Sequence, residues 1–154
     1  MRRLIACCAL SLLSVGVANA DTKAAPLPFL VAERGVYCGP GWTLTFYPNG
    51  RVVQVTTDTC IRPHKWRRTF QLTPVAVRDL QALLTASAFH TLPVRLAPES
   101  IVTDEDWLII RAGSGSSQHT VSANGLERMS PSSEVQRFLL VWSGALDSIV
   151  MAGQ

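Results

Sequence analysis

The sequence predicts an α+β domain: a mainly antiparallel sheet of about five strands with two helices packed on one face, in the order βββαββα. Three observations carry this expectation. Residues 42–47 and 51–57 alternate apolar and polar on either side of Asn49-Gly50, the strongest short hairpin signal, because both turn residues accept positive φ. Apolar residues recur at helical spacing over 74–88 and again from Val135 to Val150. Strand patterns follow one another in pairs rather than alternating with helices, so hairpins dominate the connections.

Each element has its own local reason. Residues 21–33 are rich in Ala and Pro, and Pro26 and Pro28 block helix, so a loose N-terminal segment is expected before a single domain over 34–154. In the first strand Trp42, Leu44 and Phe46 share a face; in the second, Val53 and Val55 do. Residues 64–72 read as a third strand, with Trp66, Phe70 and Leu72 on a shared face. Thr73-Pro74 then offers an N-cap and a proline at the first helical position, ahead of Val77, Leu80, Leu84 and Ala88. Pro93 and Pro98 bracket an irregular loop. Residues 107–112 form a dense apolar strand, 113–117 a Gly/Ser turn, and 118–123 the partner strand. Ser130-Pro131 repeats the cap signal before a stripe of Val135, Phe138, Leu139, Trp142, Leu146, Ile149 and Val150.

The N-terminus reads as a cleavable secretory signal. Arg2 and Arg3 precede an apolar run over 4–18, and Ala18-Asn19-Ala20 supplies the small-x-small cleavage site. The run is shorter than the roughly twenty residues a membrane span needs, so no stable span is expected after cleavage. The destination is the periplasm or the exterior. Processing is expected to leave Asp21 at the N-terminus, and N-terminal sequencing of the secreted product should read Asp-Thr-Lys-Ala. A product retaining Met1, or carrying lipid on Cys7, would contradict it.

Cleavage changes the charge balance. Arg2 and Arg3 leave with the signal, which reduces 14 basic residues to 12 against 11 acidic ones, a net charge near +1. No global field for nucleic acid remains. Cys7 and Cys8 leave too, so Cys38 and Cys60 are expected to form one disulfide in an oxidising compartment. With Asn49 and Gly50 as a two-residue loop, these cysteines fall one residue out of register. Gly39-Pro40-Gly41 is expected to absorb the offset as a bulge or bend.

Tyr37-Cys38-Gly39-Pro40, followed by residues 44–52 with their Asn49-Gly50 turn, resembles a family of secreted bacterial domains of unknown function. That pattern has a Cys-Gly-Pro-like opening, an alternating strand, a turn, a helix and an Asp before a further strand, where Asp104 falls here. The resemblance covers residues 33–123 and departs from the family in lacking a second Cys close after the first. It implies structure, and no activity.

Reaction chemistry finds little purchase. His64, His90 and His119 have no close ligand spacing, and no metal or cofactor is expected. Asp104-Glu105-Asp106 lacks the spacing of a calcium loop. The Gly/Ser stretch over 113–117 lies between two strands and lacks the spacing of a nucleophile elbow. The most polarised segment is 62–68, where Arg62, Lys65, Arg67 and Arg68 surround Trp66. In a strand Lys65 and Arg67 share one face, and Trp66 and Arg68 the other. The segment fits either a grip on an anionic surface or a sheet edge kept soluble by its charge. No catalytic residues are expected. The leading expectation is an exported, non-catalytic domain binding a protein or anionic envelope component. The alternatives are a periplasmic inhibitor or immunity protein against an envelope-acting enzyme, and a minor hydrolase.

Overall fold

Leu30, Ala32, Leu44, Phe46, Val52, Ile110, Ala112, Val121 and Ala123 all turn to one face of a single sheet, and the fold is built on that alternation. A computed structural model describes residues 26–58, 60, 64–98 and 106–153. Among these residues the strands are β1 (Leu30–Gly35), β2 (Pro40–Phe46), β3 (Arg51–Asp58), β4 (His64–Gln71), β5 (Arg95–Leu96), β6 (Trp107–Ala112) and β7 (His119–Asn124). The helices are α1 (Pro74–Ala86) and α2 (Ser133–Ala152). The α+β architecture therefore holds, with seven strands in place of about five. The sheet order is β4-β3-β2-β1-β6-β7-β5. It is mixed rather than wholly antiparallel, since the short edge strand β5 runs parallel to β7.

Two added strands account for the difference. β5 has only two residues, too few for a period to be visible in the sequence. β1 overturns the loose segment expected through residue 33. Residues 30–35 pair with β2 on one side and with β6 on the other, which places them in the middle of the sheet. A hairpin ladder with β2 and a long-range ladder with β6, rather than local propensity, make this stretch a strand.

The hairpin register also differs from expectation. Tyr47 N–H donates to Arg51 O at 2.9 Å, and Phe46 faces Val52, so Pro48, Asn49 and Gly50 form a three-residue loop. Gly50 sits at φ 82°, the left-handed conformation that such loops place at their last residue. With this register Pro40 faces Asp58, and extending it two residues sets Cys38 opposite Cys60. The bridge forms with Cα atoms 5.2 Å apart and needs no bulge.

Both helices pack on the same face of the sheet. Thr73 caps α1 through its hydroxyl, with Pro74 in the first turn, as expected; the helix ends at Ala86, and Ala88 takes a left-handed φ of 47°. On α2 the capping residue is Ser132, whose Oγ accepts from Val135 N–H, rather than the Ser130-Pro131 pair. Glu134 in this first turn has its pKa lowered by a hydrogen bond from its own backbone N–H and by Ser132. α2 buries Val135, Phe138, Val141, Trp142 and Ala145 against the sheet and α1. Trp142 stacks on Trp42 of β2 at 5.2 Å and on Phe138 at 6.4 Å, which ties helix to sheet through one aromatic column. Gly144 lets the two helices approach, since a Cβ there would meet the Leu83 side chain.

Candidate functional site

The opposite face of the sheet contributes nothing to this core. Val31, Val53, Val55, Trp107 and Ile109 alternate away from the helices and none belongs to the helix-side core; Val53 is nonetheless buried and the others are half-buried. Strand alternation also places five cations on this face: Arg51 of β3, Lys65 and Arg67 of β4, Arg95 of β5 and Arg111 of β6. Among the described residues one carboxylate faces them, Glu33 of β1, which accepts from Arg111 at 2.9 Å. Arg51 is partly committed as well, because its guanidinium lies 4.2 Å from the Tyr47 ring centroid. Lys65 and Arg67 are exposed, stand about 7 Å apart along the strand, and have no carboxylate across from them. Their cross-strand neighbours are Thr57 and Val55.

Beside the basic edge lies a hollow of about 380 Å³ at the ends of β1, β2 and β3. Its floor is bare backbone. Gly35 and Gly41 sit at this end of β1 and β2, where a Cβ at Gly35 would overlap the Trp107 indole and one at Gly41 would press on Arg34 O at 2.9 Å. Trp107 walls one side, Val55 and Thr57 the other, and Tyr37 stands at the rim, 70% exposed. The next residue along, Cys38, is held to Cys60, so the loop carrying Tyr37 is anchored covalently. No local pattern announces this hollow, because it depends on β1 lying between β2 and β6.

The expected basic segment divides as alternation requires. Lys65 and Arg67 face the uncovered side. Trp66 and Arg68 turn to the helix side yet stay exposed, with Trp66 39% exposed and its ring 5.5 Å from that of His64. Arg62 lies outside the described residues, as do Asp104 and Glu105. Asp106 is engaged by Arg34, whose Nε donates to Oδ2 at 2.8 Å. That pair is more than two-fifths exposed on each side and contributes little to stability.

Among the described residues, His64, the His90–His119 pair and Asp106 stand in separate places. His90 and His119 approach to 6.2 Å beside Phe89, and His119 Nε2 lies 2.9 Å from Leu92 O. His64 is across the sheet on β4. Asp106 and His119 mark opposite ends of the β6 ladder, about 20 Å apart. Among the described residues, no three His, Cys, Asp or Glu side chains gather closely enough to hold a metal ion.

Fold and site together define a small, disulfide-bridged α+β domain whose basic sheet face carries no helix among the described residues. Compared with known protein families and with curated proteins, the chain matches none.

Proposed function

We propose that this protein is an exported, non-catalytic binding domain that captures an anionic protein or envelope component on the uncovered face of its sheet. The observation that supports this most is the charge of that face among the described residues, five cations against Glu33, with Thr57 and Val55 rather than carboxylates across from Lys65 and Arg67. Glu33 lies three strands from β4, about 14 Å away, beyond a Debye length of about 8 Å at physiological salt. The disulfide is compatible with the oxidising compartment that an export signal leads to. Capture of an anionic partner should therefore weaken steeply as salt is raised. Lys65→Glu combined with Arg67→Glu should abolish capture from an envelope extract. The fold should survive, because exposed substitutions change stability by under about 0.5 kcal/mol. Equal capture by the double variant and the wild type would leave β4 as a charge-protected edge and nothing more.

A second reading, an inhibitor or immunity protein, is favoured by Tyr37: an exposed aromatic on a loop held by a disulfide is a rigid anchor for a partner's pocket. In the same experiment, loss of capture by Tyr37→Ala but not by the charge reversal would select that reading.

A further inference from the structure

We infer that β4 is a docking edge for an acidic, extended polypeptide, which adds to the sheet as a further strand. The inference rests on the anionic-partner reading above and specifies the occupant and the way it is held.

The two edges of the sheet differ. β5 is a two-residue edge, whereas β4 runs for eight residues, His64–Gln71, paired with β3 residue by residue without a bulge. No proline interrupts it. Its hydrogen-bonding phase follows from one contact: Leu72 N–H donates to Gly50 O at 2.9 Å, directly across the ladder. In an antiparallel pair, hydrogen-bonded and non-hydrogen-bonded positions alternate. His64, Trp66, Arg68 and Phe70 therefore turn their N–H and C=O groups towards β3. Lys65, Arg67, Thr69 and Gln71 turn theirs outward, where they offer a ready template for another chain.

Charge decides which chain. A second copy pairing through the same edge would bring Lys65, Arg67 and Arg68 against their own kind, and like charges directly opposite destabilise a ladder. A strand with carboxylates at alternate positions reverses the sign of that term. Its acids would stand beside Lys65 and Arg67 on the uncovered face, while its other residues would lie beside Trp66 on the far side. Main-chain hydrogen bonds would hold it, and the alternating side chains would select it.

The test uses two probes, a synthetic (Thr-Glu)₄ peptide and dextran sulfate, an anion with no peptide backbone. With wild type, peptide binding should slow amide exchange at Lys65, Arg67 and Thr69 by about tenfold or more, the equivalent of a hydrogen bond formed at each. His64, Trp66 and Arg68 should change little. Thr69→Pro keeps every charge and removes one outward N–H. It should weaken the peptide about tenfold and leave dextran sulfate unaffected. Unchanged exchange at the three outward amides under saturating peptide would overturn strand addition, even if the proline variant failed to fold. If both probes bind alike and Thr69→Pro affects neither, strand addition falls while the anionic reading stands. If Lys65→Glu with Arg67→Glu binds both probes as well as wild type, both fall.

Discussion

Cys60→Ser is expected to lower the unfolding free energy by about 3 kcal/mol, the chain-entropy value for a loop of this size. The bridge spans a sequence separation of 22 and closes the open end of the β2–β3 hairpin. Its native geometry asks for no backbone movement, because the two cysteines stand opposite one another in the ladder's own register. Urea unfolding monitored by tryptophan fluorescence should show the loss as a lower midpoint, with a slope equal to or steeper than wild type's because the unlinked denatured chain exposes more surface. Cys60 also lies on the connection from β3 to β4, so the variant should loosen the start of the basic edge as well as the hairpin. An unchanged midpoint would mean that the hairpin is held by its ladder alone.

The second large effect belongs to the core. Phe138 is 0% exposed and fills the space between α2 and the sheet, beside the Trp142–Trp42 stack. Phe138→Ala should cost about 3–5 kcal/mol, the transfer term plus the cavity that helix and sheet cannot close. Leu140→Ala, two residues on but 52% exposed, serves as the comparison and should stay within about 0.5 kcal/mol of wild type. A large loss at Leu140 in a dilute monomer would contradict the burial pattern of α2.

What the sequence disclosed follows the range of the forces involved. β2, β3, β6, β7 and the cap and stripe of α1 were legible because period, turn and cap are local signals carried by adjacent residues. The split of Lys65 and Arg67 from Trp66 and Arg68 was legible for the same reason. β1 was not, since its Leu-Val-Ala-Glu-Arg-Gly sequence has little strand character and gains its conformation from partners far along the chain. The hollow inherits that blindness, as Gly35 and Trp107 meet only once β1 and β6 have paired. The register slipped by one because Asn49-Gly50 suggests a two-residue loop, while Pro48 joins it in the folded protein.

The central position of β1 sets the order of synthesis against the order of burial. The chain makes β1 first, yet half of that strand's hydrogen bonds wait for β6, with Leu30 facing Ala112. The meander β1–β4 can close as soon as Gln71 has emerged, because its hairpins are local. Its apolar side, with Leu44, Phe46 and Val52, is met first by α1, through Val77, Leu80 and Leu84, and is closed only when α2 packs beside it. Between the closing of the meander and the docking of α2 the folding chain therefore carries apolar surface that only α1 shields, and that interval is when it is most prone to stick to another chain.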